Sequence, residues 1–222
     1  MVLPIANPMM LGGVPLTTLT YIEVHTSFDA NGTFTLGAGD IQSGDLLFVI
    51  QEALGSSDPA SSPGTGFTSV TTAGGSRTSG KSTWYARVQV SYKIADGTEN
   101  STSIGGFMNA THGENYLMAV YRPDGAIAGV ENTSSTDYGT NIGTISVGGD
   151  TATTTITYSA TPMESTNGLN MTWSPVHDAG LADGSGTLRG NMYVGGVGAD
   201  VTITETDGDS SIVALVGYVT VI

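Results

Sequence analysis

The sequence contains no cysteine and very few basic residues. Its 222 residues include 0 Cys and only 6 Lys plus Arg, against 20 Asp plus Glu. The absence of cysteine excludes disulfides, thiolate metal sites and cysteine nucleophiles. The formal net charge of −14 repels nucleic-acid phosphates and anionic lipid. No apolar run approaches the roughly 20 residues of a membrane helix. We therefore expect neither nucleic acid nor a membrane as a partner.

Strong helix formers are also scarce, whereas turn and strand formers are abundant. Charged residues make up only 12 % of the chain, and glycine is present 32 times. Threonine and valine favour pleated, half-buried surfaces, and glycine supplies turns and bulges. Many short strands joined by turns, with no convincing helix between them, predict an all-β fold. We expect an antiparallel, jelly-roll-like β-sandwich with an extended N-terminal arm.

The clearest strand signal lies at residues 83–94. Apolar and mostly polar residues alternate there with a period of two, which predicts a half-solvated strand of an antiparallel sheet. A final apolar strand at 211–222 is expected to be central or to meet a partner. The stretches 52–65 and 73–82 are expected to be polar loops. The remaining predicted strands are 18–25, 32–36, 45–51, 66–72, 98–104, 115–122, 142–147, 151–158, 169–174, 187–194 and 200–206.

Residues 1–16 differ from the rest because they are apolar, contain three prolines and carry no charged side chain. Proline and glycine prevent a regular helix in this stretch. An apolar arm must be buried somewhere, either on its own domain or on a neighbouring subunit. We therefore expect an arm at 1–16 and one sandwich domain at 17–222, which is built from two loosely similar halves. The expected assembly contacts are Leu3, Pro4, Ile5, Pro8, Met9, Met10 and Leu11.

One string, residues 75–82 (GSRTSGKS), matches the P-loop pattern letter for letter. Phosphate binding by a P-loop requires a strand before it and a helix after it. Here the following residues alternate as a strand, so we expect a loop tip and no nucleotide.

The remaining candidate catalytic or metal-binding residues do not form a recognisable site in the sequence. His25, His112 and His177 lack metal-ligand spacing, and no G-x-S-x-G elbow is present. Acidic residues near Asp183 and Asp207 do not fit an EF-hand and suit plain turns. We expect no catalytic residues, no cofactor and no resident metal, so the chain is not expected to be an enzyme. Aromatic residues are expected mainly in the core, although exposed ones would suit sugars.

A family resemblance rests on four ordered segments of the chain. They are GDLLFVI (44–50), PGTGFTSV (63–70), VSYKIADGTE (90–99) and YLMAVYRP (116–123). Their order resembles a β-sandwich module found in virion proteins of tailed phages, in which a GDLL strand is followed by P-x-G-W/F-T-x-V, YYKVA…GE and A-x-x-YRG. Phe67 stands where Trp is commoner in that family, and Pro123 stands where Gly is commoner. The second half, 171–219, repeats the scheme more loosely.

The resemblance implies a structural role in a phage virion, with no catalytic residues to carry over. The apolar arm and the acidic surface favour a head decoration (cement) protein, bound to the major capsid protein or other virion proteins and assembled as a homo-oligomer, for which we expect a trimer. An alternative is a tail-tip or tail-fibre protein that binds host glycans through loops at 52–65, 73–82 and 177–191. A cellular carbohydrate-binding module and a depolymerase are more remote alternatives.

Overall fold

The computed structural model describes residues 18–28, 32–79, 81–111, 113–138, 144–147, 155–163, 170–174, 189–197, 200–204 and 213–222. Within these residues every regular element is a β-strand, and none is a helix that could cross a membrane. The strands are β1 Leu19–Phe28, β2 Phe34–Thr35, β3 Leu46–Gly55, β4 Thr68–Ser79, β5 Ser82–Ile94, β6 Ser103–Ile104, β7 Gly113–Pro123, β8 Val130–Tyr138, β9 Thr144–Val147, β10 Thr155–Met163, β11 Asn170–Ser174, β12 Arg189–Val197, β13 Asp200–Thr204 and β14 Ala214–Val221.

Two antiparallel sheets stack on each other, which confirms the predicted all-β sandwich. The first sheet has the strand order β1-β7-β3-β5-β4, and the second has the order β12-β10-β14-β8. Each sheet takes its strands from one half of the chain. The last strand, β14, lies between β10 and β8, as its two apolar faces predicted. Two smaller sheets have the orders β11-β13-β9 and β2-β6.

The space between the two large sheets is filled by one hydrophobic core. Phe48 of β3 and Tyr158 of β10 meet there with ring centroids 5.9 Å apart. Alternate residues of β3 face this core, since successive side chains in a strand point to opposite sides. The first sheet contributes Leu46, Phe48, Ile50, Leu54, Ala86, Val88, Val90, Leu117, Ala119 and Tyr121, and the second contributes Ile156, Tyr158, Ala160, Met192, Leu215, Val219 and Val221.

The opposite face of the first sheet is buried as well. Leu47 and Val49 of β3 point away from the second sheet and are 0 % exposed. They belong to a separate core, which the loops around β2 and β6 cover. All ten residues of β3 are therefore buried. The covering residues are Phe34, Leu36, Ile41, Phe67, Ala95 and Phe107.

This cover corrects the prediction that β5 is half solvated. Gln89 and Ser91, on the polar face of β5, are both 0 % exposed. The covering loop satisfies their polar atoms, because Ser91 Oγ donates to Pro63 O at 3.0 Å and Ser61 Oγ donates to Gln89 Oε1. Gln89 Nε2 in turn donates to Ser69 Oγ at 2.9 Å. A polar strand face is thus compatible with burial where a loop supplies hydrogen-bond partners.

Three predicted boundaries are wrong. Residues 52–55, expected in a loop, continue β3, because β5 pairs with all four of them and β7 pairs with residues 52–54 on the other side. Residues 73–79, also expected in a loop, continue β4 up to Ser79, which pairs with Ser82. Most of the strand expected at 98–104 is a turn, in which Thr102 Oγ1 donates to Glu99 O at 2.6 Å.

Candidate functional site

The most distinctive surface lies where β1 and β3 begin and where β5 and β7 end. We call it the arm end, defined by Thr18, Ile94, 122–127 and Ile222. Strand pairing aligns Leu19 with Pro123, and Leu46 with both Tyr121 and Ile94. Thr18 N donates to Asp124 Oδ1 at 2.7 Å, and Asp124 N donates to Thr18 O at 3.0 Å. The apolar stretch 1–16 is therefore connected to the sandwich at this end.

Two exposed large hydrophobic side chains lie at the arm end. Ile94 is 37 % exposed and Ile222 is 41 % exposed. Ile222 is placed there by Gly129, since Ile222 N donates to Gly129 O at 2.9 Å. Ile94 was expected on the apolar face of its strand, on which Ala86, Val88 and Val90 are buried. As the last residue of β5, it reaches solvent instead.

An open depression of about 350 Å³ lies beside Ile94. Its walls combine apolar side chains with the charged pair of Asp45 and Arg122, so the surface offers both apolar area and directional polar contacts. The lining residues are Gln42, Ser43, Gly44, Asp45, Ile94, Arg122, Pro123, Gly125, Ala126 and Ile127.

Arg122 holds the wall of this depression in place through two aspartates. Its Nε lies 3.0 Å from Asp45 Oδ1 and its Nη2 lies 2.9 Å from Asp45 Oδ2, and Nη1 lies 3.3 Å from Asp40 Oδ2. Hydrogen bonding to Asp45 raises the pKa of Arg122. The pKa of Asp40 is lowered, first by its hydrogen bond with Gln42 and then by Arg122. The pair with Asp45 is bidentate, a geometry that fixes both side chains.

A second ion pair joins β5 to the turn after it. Lys93 Nζ lies 2.7 Å from Glu99 Oε1, and the Glu99 side chain is only 2 % exposed. Burial acts to raise the pKa of Glu99, but hydrogen bonds from Lys93 and the Asp96 backbone outweigh it, so the pKa is lowered. For Lys93, burial acts to lower the pKa, but Glu99 outweighs that effect and the pKa is raised.

The four segments that carry the family resemblance therefore contribute structural contacts. Asp45 of GDLLFVI pairs with Arg122 of YLMAVYRP, and Lys93 and Glu99 pair within VSYKIADGTE. In PGTGFTSV, Phe67 contacts Phe107 with ring centroids 5.3 Å apart. These segments fix the loops that cover the first sheet, and none of the contacts forms a catalytic arrangement.

The remaining predicted residues fall into three groups. The P-loop-like string lies in the β4–β5 hairpin, where Ser82 begins a strand. His25 lies in β1 with Nε2 3.2 Å from Glu23 Oε1, and no group of three or more metal-ligating side chains occurs in the described part of the chain. The predicted residues that lie outside the described residues are Leu3, Pro4, Ile5, Pro8, Met9, Met10, Leu11, His112, His177, Asp183 and Asp207.

Sequence reasoning singled out the stretch 1–16, which lies outside the described residues, but not the surface at which the described chain begins. Ile94 was assigned to an apolar strand face, and nothing in the sequence placed the loop 124–129 or Ile222 beside it. The missing information was strand order, since only the pairing of β1 with β7 brings Thr18 beside Asp124.

No protein-family model, curated protein or solved structure matches this chain.

Proposed function

We propose that this chain is a structural protein of a phage virion, most specifically a head decoration protein that attaches to the capsid through the arm end. The observation that carries the proposal is that Thr18, the residue that follows the apolar stretch 1–16 by two positions, lies at the same end of the sandwich as the exposed side chains of Ile94 and Ile222. An apolar segment that enters the fold beside exposed apolar side chains is a candidate interaction site.

In this proposal the arm and the arm end bury apolar surface across joints between capsid subunits. The partner is the major capsid protein or another virion protein, and the decoration protein assembles as a trimer. A stable attachment of this kind buries at least about 1,000 Å² in total. The net charge of −14 suits the remaining surface to an outward, solvated position.

The test measures binding of the purified full-length chain to capsid shells that lack it, by co-sedimentation. Ile5→Asp and Leu11→Asp alter the arm, and Ile94→Asp alters the arm end. Thr78→Asp, at the exposed far end of the β4–β5 hairpin, is the control with the same charge change. We expect saturable binding of the parent protein. Each of the three variants should weaken that binding by about tenfold or more, as substitutions at the centre of an interface do. The control variant should bind as the parent does.

Light scattering on the unmodified protein tests the trimer separately. Saturable binding that none of the three variants weakens would contradict attachment through the arm end. Absence of binding to any shell would contradict the decoration function itself.

A further inference from the structure

A second depression lies at the opposite end of the first sheet, beside the β4–β5 hairpin. It has a volume of about 340 Å³. Tyr85, which lines it, precedes Ile94 by nine residues in the same strand, so about 30 Å separates the depression from the arm end. The lining residues are Asp58, Gly74, Gly75, Ser76, Tyr85 and Arg87.

Strand pairing explains why an aromatic ring is accessible here. Ser76 pairs with Tyr85, and Gly74 pairs with Arg87, so these four residues share one face of the hairpin. The two β4 residues are small and leave the neighbouring ring and guanidinium uncovered from that side. A Cβ atom added to Gly74 would lie 3.4 Å from Arg87 Cζ, so the guanidinium lies over the position where a larger residue would place its Cβ atom.

Arg87 is held by Asp58, from the loop that follows β3. Arg87 Nη2 lies 2.6 Å from Asp58 Oδ2, and Arg87 Nε lies 3.3 Å from Asp58 Oδ1. The Asp58 side chain is 54 % exposed, so its carboxylate also faces the depression and solvent. The pair therefore places hydrogen-bond donors and acceptors side by side in a fixed orientation.

The exposure of the Asp58 carboxylate leaves its ion pair free for a binding role. The carboxylates of Asp45 and Glu99 are each 2 % exposed and serve the packing of loops. The Asp58 side chain is 54 % exposed and that of Arg87 is 21 % exposed, and an ion pair with so exposed a carboxylate contributes little to stability. Its polar atoms converge instead on a concave surface with a tyrosine, the combination expected of a small-molecule site.

We propose that this depression binds a neutral hexose unit of a glycan. One face of a hexose presents C–H groups that pack on an aromatic ring, and its hydroxyls both donate and accept hydrogen bonds. Tyr85 supplies the ring, Asp58 supplies acceptors and Arg87 supplies donors. The two charges of the ion pair compensate each other, and the net charge of −14 disfavours an anionic sugar.

The site would face away from the shell if the arm end faces the capsid, because the two surfaces lie at opposite ends of the first sheet. The glycan site does not depend on the decoration function, however. Loss of capsid binding in the arm variants leaves sugar binding intact, and loss of sugar binding in the hairpin variants leaves capsid binding intact.

The experiment uses saturation-transfer NMR on the full chain with the methyl glycosides of glucose, galactose, mannose and N-acetylglucosamine, followed by titration of the one with the strongest signal. We expect millimolar binding to at least one glycoside, since the depression is open and small. Tyr85→Ala should weaken binding at least tenfold. Tyr85→Phe keeps the ring and should lose no more than about threefold.

Two further variants test whether loss of binding is specific to this depression. Asp58→Asn removes the acceptor charge from the exposed pair and should weaken binding at least fivefold. Ser103→Ala, in a polar depression without an aromatic ring, is the control and should leave binding unchanged. Thermal unfolding checks that each variant is folded. The proposal is overturned if no glycoside binds or if folded Tyr85→Ala binds as the parent does.

Discussion

Asp45 and Arg122 are separated by 77 residues in sequence and form a bidentate ion pair, with Arg122 Nε 3.0 Å from Asp45 Oδ1 and Nη2 2.9 Å from Oδ2. Asp45 immediately precedes β3, and Arg122 lies near the end of β7, so the pair fixes the start of one central strand to the end of its neighbour. Arg122 Nη2 also donates to Asp40 O at 2.7 Å. The loop that leads into β3 is therefore tied to β7 by side-chain as well as backbone contacts.

The first prediction concerns the unequal roles of the two aspartates that contact Arg122. Asp45 is 2 % exposed and Asp40 is 67 % exposed. Asp45→Asn should lower the urea midpoint of unfolding several times as much as Asp40→Asn, because a buried partner is costly to remove and an exposed one is not. Equal shifts in the two variants would contradict the bracing role of Asp45.

The alternation of apolar residues made most of the strands predictable. The alternation at residues 83–94 predicted the bounds of β5 almost to the residue, and the apolar run near residue 46 predicted where β3 begins. Strand pairing order was not predictable, because many registers satisfy the same local alternation. The depression beside Tyr85 and the arm end both depend on that order.

Strand β8 was missed altogether, because its sequence VENTSSTDY has almost no apolar alternation. Backbone pairing with the apolar strand β14 positions β8 in the sheet. In the described part of the chain β8 lies at an edge of that sheet. The hairpin 73–82 was taken for a loop because of its glycines and serines. Backbone pairing with β5 outweighs those local preferences.

The second prediction uses three glycines to separate backbone strain from steric overlap. Gly64 has a φ of +94°, and an added Cβ would lie 2.2 Å from Phe107 Cε1. Gly44 has a φ of +95° but nothing within 4 Å, and Gly37 also has open space and lacks a positive φ. Gly44→Ala should lower the free energy of unfolding by about 1–2 kcal/mol, because of backbone strain alone. Alanine at Gly64 should cost more than that, because overlap with the Phe107 ring adds to the strain.

Alanine at Gly37 is the control for this series and should change the free energy of unfolding by less than about 0.5 kcal/mol. The expected order of destabilisation, measured in urea, is therefore Gly64, then Gly44, then Gly37. A Gly64 variant as stable as the Gly44 variant would show that the Phe107 ring moves aside without cost.

The third prediction tests whether both faces of the first sheet are buried. Phe48 faces the second sheet, and Val49 faces the loops around β2 and β6. Phe48→Ala should destabilise the protein by about 3–5 kcal/mol, and Val49→Ala by about 2 kcal/mol. Thr26→Ala, at an exposed position of β1, is the control. A neutral Val49 variant would mean that the covering loops do not pack on the sheet.

The last prediction concerns the acid stability supplied by Glu99. Its pKa is lowered from the ordinary value of 4.5, because hydrogen bonds from Lys93 and the Asp96 backbone outweigh the effect of burial. A carboxylate with a lowered pKa in the folded state contributes stability that is fully present above about pH 4.5 and is lost as the pH falls through the folded pKa. Glu99→Gln should therefore be destabilised by about 2 kcal/mol at pH 6, and the difference from the parent should shrink between pH 4.5 and pH 3.

Asp96→Asn is the matched control, since Asp96 Oδ2 lies 3.6 Å from the same Lys93 Nζ but is 60 % exposed. The pKa of Asp96 is lowered chiefly by hydrogen bonds with Thr98, so its small contribution has the same sign and is lost in the same acidic range. Urea unfolding at pH 3, 4, 5 and 6 gives the free energy of each variant. A difference between Glu99→Gln and the parent that stays constant over this range would mean that the ionised form of Glu99 does not stabilise the turn after β5.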